Sequence, residues 1–212
     1  MGLITLWSAQ VEHDVLAFAN GLSAKLATRS RHVCVFLAAG SSKACGLPDV
    51  VSLQRQVAAA LGDGDREAFE HQLEDRNLEQ ALSRLRRIAA LVEGDDRIDG
   101  LDAAAAAELD ARVCKLIVER LQVSDADLTP ILRFAAWAAR SDYVHPLELF
   151  TVNYDLLIET ALERLGVAYF DGFAGALRGR FRTELVEASP NDAEAWLPRF
   201  LVRLWKLHGS VN

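Results

Sequence analysis

Paired cysteines are missing from this chain. Its three cysteines, Cys34, Cys45 and Cys114, are odd in number and widely spaced, with no Cys-x2-Cys among them. That excludes a disulfide framework and a paired-cysteine zinc site, and it points to a reducing compartment. A basic surplus is missing too. Lys and Arg number 23 against 30 Asp and Glu, a net charge of -7. This argues against a surface dedicated to nucleic acid. No apolar run reaches the ~20 residues of a membrane span, so no membrane partner is expected. The N-terminus, "MGLITLWSAQVEHDVLAF", has no basic region ahead of its apolar residues and meets acidic ones early. A secretory leader is therefore not expected, and the cytoplasm is the expected location. Leu6 stands where myristoylation needs Ser or Thr. There is no internal repeat, and no low-complexity tract beyond the alanine run 103–107, which favours helix.

What is present is a large apolar content, 51% of 212 residues, enough for one sizeable domain or a domain with a large insertion. Residues 8–28 read as a helix: Val11, Val15, Phe18, Leu22 and Leu26 share one face, with Ser8 as cap. Residues 33–38 form a continuous apolar run with β-branched Val33 and Val35, which suits a strand covered on both sides. Roughly 52–142 reads as helical. Leu78, Leu82, Leu85, Ala89 and Val92 make one stripe. Val113, Leu116, Ile117 and Leu121 make a second, and Leu128, Ile131, Leu132, Ala135 and Ala139 a third. These stripes are expected to pack on each other and on the sheet, or partly on other subunits. Gly62 and Gly64, and the Asp-rich segment from Gly94 to Gly100, read as breaks. Pro130 fits the first turn of the last helix.

After Pro146 the pattern changes. "LELFTVN" reads as a strand, and "YDLLIETALERLG" as a helix stopped by Gly166. "VAYFDGF" and "FLVRLWKLHG" read as further strands. Residues 182–198, broken by Pro190 and Pro198, read as loop. Strand, helix and strand with short connections predict an α/β fold with right-handed crossovers. The expected form is a Rossmann-like parallel sheet with helices on both faces and a large helical insertion over 52–145. Sites in such sheets lie beyond the C-terminal ends of the strands.

Three fragments fall at such ends. "AAGSSKACGLPD" holds small residues that let a backbone approach a ligand, and N–H groups at a following helix start attract phosphate. A tight turn packed on a helix explains the same residues. Asn153 and Asp155 follow the second strand. They serve either as cap and first-turn charge for the next helix or to orient a hydroxyl or a water. His208 is either a structural hydrogen-bonding group or, with its ordinary pKa near 6.5, a general base. Gly209 beside it leaves room for a ligand.

Together, and in this order, the three fragments resemble the sirtuin family. Its nucleotide loop, Gly-Ala-Gly-x-Ser followed by Gly-Ile/Leu-Pro, is matched by Ala39, Gly40, Ser42, Gly46, Leu47 and Pro48, with Ala38 where the first glycine stands. Its Thr-x-Asn-x-Asp motif is matched by Thr151, Asn153 and Asp155, and its His-Gly by His208 and Gly209. Val50 and Val51 follow Asp49 where deacetylases have Phe-Arg, and the helical block after Pro48 is longer than in compact deacetylases. The form "TVNYDLLIE … KLHGSVN" is most similar to divergent bacterial sirtuin-like domains of antiphage defence, which bind NAD and mostly hydrolyse it.

The resemblance implies a sirtuin-like catalytic domain over 1–212, incomplete at its C-terminus, that takes NAD as substrate and no metal. It implies that Ala38, Ala39, Gly40 and Ser42 meet the pyrophosphate, with Leu47 and Pro48 in the same loop. Asp155 and Asp49 would hold the carboxamide, with Tyr154 flanking it. Asn153 would position water, and His208, beside Gly209, would accept a proton. The implied activity is an NADase (NAD glycohydrolase) acting in antiviral abortive infection. Alternatives are an NAD-dependent protein deacylase and a non-catalytic NAD- or ADP-ribose-binding assembly domain. Homo-oligomers are implied, as are partners such as a DNA-translocating ATPase, an Argonaute-like protein or a phage-sensing region.

Overall fold

The structure, a computed structural model, describes residues 14–141, 143–175, 178–184 and 202–211. Four parallel strands make the central sheet: β1 (Cys34–Leu37), β2 (Leu147–Thr151), β3 (Tyr169–Phe170) and β6 (Val202–Lys206), in the order β1-β2-β6-β3. Residues 34–37 pair in parallel with 148–151, so the two runs separated by the whole helical block lie side by side. β6 enters between β2 and β3, with Leu149 opposite Leu204. The segment read as one strand at 167–173 divides. Tyr169 and Phe170 join the sheet, while β4 (Phe173–Ala174) turns back onto β5 (Arg180–Phe181) as a separate antiparallel ribbon. Most of the expected loop 182–198 lies outside the described residues.

Helix α1 (Val15–Leu26) begins at Asp14, whose carboxylate accepts the Ala17 N–H. The expected cap Ser8 and the stripe member Val11 lie outside the described residues. Val15 and Phe18 are over 70% exposed, so this stripe is not buried as its spacing predicts. A short α2 (Ala39–Ala44) follows β1 and ends in a Schellman turn. Leu47 N–H donates to Ser42 O, Gly46 N–H donates to Lys43 O, and Gly46 has φ +87°.

The helical block comprises α3 (Val50–Ala60), α4 (Asp63–Leu73), α5 (Leu78–Leu91), α6 (Ala103–Arg120) and α7 (Thr129–Arg140). Gly62 breaks the chain before α4 as expected, but Gly64 lies inside α4, where its first-turn position makes glycine inexpensive. Pro130 sits in the first turn of α7. The block does not share one interior. Helices α3 to α6 enclose a core of their own, including Val57, Phe69, Leu85, Leu109 and Val113. Helix α7 instead joins α8 (Leu157–Arg164) on the sheet, burying Ile131, Ala135 and Ala138 against Leu147, Leu149 and Leu204. Gly166 follows α8 at the expected stop.

The two faces of the sheet are covered unequally. The face of Leu147, Leu149, Val202 and Leu204 is buried. On the other, Phe36 is 60% exposed, and Phe150 and Trp205 stack half-buried with ring centroids 6.0 Å apart. The run 33–38 is therefore covered on the Val35–Leu37 side more than on the Cys34–Phe36 side. Among the described residues no helix is long and apolar enough to cross a membrane.

Candidate functional site

At the C-terminal edge of the sheet the three fragments meet. The chain leaves β2 at Thr151, whose buried hydroxyl accepts the Asn153 N–H at 3.0 Å and fixes the turn. The Asn153 side chain crosses to the β1–α2 loop. Its Nδ2 donates to Ala38 O at 3.1 Å, Ser41 Oγ at 3.1 Å and Ser42 Oγ at 2.8 Å. A carbonyl only accepts, so the Asn153 atom facing Ala38 O must be the amide nitrogen. Ser42, 3% exposed, passes the bond on: its hydroxyl donates to Asp155 Oδ2 at 2.5 Å. The other Asp155 oxygen accepts Leu157 N–H and so orders the start of α8. Asn153, Ser42 and Asp155 thus form one directional relay in which each buried polar atom has a partner.

Behind this loop, Lys206 at the end of β6 donates to the Asp155 carbonyl and to Glu159 Oε1, the latter at 2.8 Å. The pair is nearly buried, and burial pushes the Glu159 carboxyl above the usual carboxylate range despite Lys206. Lys206 therefore holds the Tyr154–Asp155 backbone while β6 delivers His208 two residues later. Gly209, at φ +94°, turns the chain there so that Val211 N–H donates back to Tyr154 O.

The expected residues divide into three groups. Ala39, Ser42, Pro48, Asn153, Asp155, Tyr154 and His208 line one cleft of about 160 Å³. Gly209, Tyr154 and His208 border a larger one of about 410 Å³. Ala38 contributes its carbonyl, and its backbone is extended (φ -119°, ψ -173°), so the methyl that replaces a glycine hydrogen causes no strain. A Cβ on Gly40 would meet open space. Leu47 is 7% exposed and belongs to the sheet core. Asp49 caps α3 through Ser52 N–H and pairs with Lys43 at 2.9 Å. The Ser52 N–H and Lys43 hold its carboxyl well below the usual range.

Glu79 was not expected at the site. It lies in the first turn of α5, held there by a capping box in which Asn77 and Gln80 exchange bonds at 2.9 and 3.0 Å. Its Oε1 accepts the Tyr154 hydroxyl at 2.7 Å and lies 3.0 Å from His208 Nδ1. Burial and this carboxylate push the Tyr154 phenol up, so it stays a donor. Glu79, Leu78, Tyr154 and His208 line both clefts. In sequence Glu79 reads as an ordinary first-turn acid favoured by the helix dipole. Only the capping box marks that its position is well fixed.

No family model matches this chain, and no curated protein matches it significantly in sequence. The site is thus read from its own geometry. It offers an amide–hydroxyl–carboxylate relay on one wall of a cleft and an imidazole on another, at the strand ends where open α/β sheets bind ligands. Among the described residues no group of three or more His, Cys, Asp or Glu side chains converges as a metal site.

Proposed function

We propose that this domain hydrolyses NAD at its N-glycosidic bond, releasing nicotinamide and ADP-ribose, as the effector of a bacterial antiphage system. One observation carries the reading. Residues from three distant strand ends, Ser42, Asn153 with Asp155, and His208, border a single cleft. They are the residues on which the sirtuin resemblance rests.

In this reading the pyrophosphate lies along Ala38 to Ser42, where the open space at Gly40 admits close approach. The nicotinamide end points toward Asp155 and Tyr154. The C1′–N bond breaks, its electron pair neutralises the pyridinium nitrogen, and positive charge develops on the ribose. Asn153 places the water whose oxygen bonds to C1′. His208 takes the proton, directly or through a ribose hydroxyl. Homo-oligomers and a partner that senses infection belong to the same proposal.

A second reading has an observation of its own. The Asn153 amide donates to Ala38, Ser41 and Ser42, which is the work of a structural tie. That favours a non-catalytic domain that binds NAD or ADP-ribose.

Nicotinamide release by the full-length protein decides between them. His208→Ala is expected to reduce release by about 10²–10⁴ with ADP-ribose affinity kept. Near-normal release by this variant removes His208 as the base. Tight binding without release in any state of the full-length protein establishes the second reading.

A further inference from the structure

We propose that Glu79, contributed by the helical insertion, is the positioning residue for His208, fixing which imidazole nitrogen is free to take a proton. The inference deepens the hydrolase reading and rests on it. Glu79 Oε1 lies 3.0 Å from His208 Nδ1, and because a carboxylate only accepts, a neutral ring that bonds to it carries its hydrogen on Nδ1. Nε2 is then the basic nitrogen. When Nε2 takes a proton, the neighbouring carboxylate stabilises the imidazolium, as in other carboxylate–histidine pairs.

Both side chains are exposed, His208 43% and Glu79 46%, and three features hold the pair in place. Glu79 is itself held, by the Asn77–Gln80 capping box and by the Tyr154 hydroxyl at 2.7 Å. Tyr154 leans over the imidazole, ring centroids 6.4 Å apart at 38°. Glu79, Tyr154 and His208 line both clefts, so the pair borders each of them. The insertion is therefore part of the site, and its orientation on the sheet sets the state of the base.

The test uses the full-length protein with Glu79→Gln, which removes the charge but keeps an acceptor, and Glu79→Ala, which removes both. Other ionisable groups bordering the same clefts are Arg86 from α5, Cys114 from α6, and Tyr154 and Asp155 from the β2–α8 loop. All are left in place. Imidazole nitrogen NMR reads the His208 tautomer directly, whether or not NAD is cleaved. The expected result is loss of the Nδ1–H preference in Glu79→Ala and its partial retention in Glu79→Gln. With NAD, kcat falls about 10-fold in Glu79→Gln and about 10²-fold in Glu79→Ala, with KM little changed.

An unchanged tautomer in Glu79→Ala overturns the proposal without touching the hydrolase reading. So does an unchanged kcat where His208→Ala abolishes cleavage. If His208→Ala cleaves normally, the hydrolase assignment of His208 and the role of Glu79 in it fall together.

Discussion

The sheet core and the insertion core deliver their site residues by different means. The sheet places Asn153, Asp155 and His208 simply by ending its strands at one edge, with hydrogen-bonded neighbours holding each turn. The insertion places Glu79 by starting a helix, with a capping box at that start and buried Leu78 beside it. A strand end is fixed by its ladder partners, as Thr151 is between Leu37 and Lys206. A helix start depends on its cap and on the packing of one face. The comparison teaches that strand ends hold the relay, while the half with its own core holds the group that contacts His208.

The largest test asks whether the cores are separate. Phe69 is fully buried among α3 to α6, and Leu149 is fully buried under α7 and α8. Phe69→Ala is expected to cost about 3–5 kcal/mol and Leu149→Ala about 2–5 kcal/mol, read by denaturant unfolding. The double variant should be additive within about 0.5 kcal/mol. A large departure from additivity would show that the two cores are coupled through shared packing.

A smaller effect tests how the insertion places its residue. Asn77→Ala removes half of the capping box and is expected to lower stability by about 1 kcal/mol. It should also weaken the Glu79–His208 contact while leaving the Asn153–Ser42–Asp155 relay intact. Thermal melting measured beside the His208 tautomer, read by imidazole nitrogen NMR, checks both. A shift in melting with an unmoved tautomer would show that the cap serves the helix alone.

The smallest effect lies in the loop between α5 and α6. Asp99 pairs with Arg84 at 2.6 Å, and buried Gln72 bridges the two. The Arg84 hydrogen bond holds the Asp99 carboxyl below the usual carboxylate range. A lowered acid stabilises the fold above its unfolded pKa, about 3.9, and loses that contribution as pH falls through the folded value. Asp99→Asn should cost under about 1 kcal/mol at neutral pH and flatten the acid side of the melting profile. An unchanged acid side would assign that loss to other carboxylates.

The sequence by itself determined the parts that rest on local periodicity. Alternation and β-branching marked β1, β2 and β6. Stripes three and four apart marked α5, α6 and α7, and the small residues, Asn153 and His208 marked the strand ends. These signals are local because a strand or a helix repeats its environment every two or every three to four residues. Tertiary structure alone decided the rest. It placed α7 with the sheet and not with the other insertion helices, left the α1 stripe exposed, and split 167–173 between a sheet strand and a separate ribbon. It brought Glu79 to His208, and it made Asp49 a helix cap held by Lys43. Each of these depends on which surfaces meet across long stretches of chain. A side chain's own neighbours in sequence carry no record of that meeting.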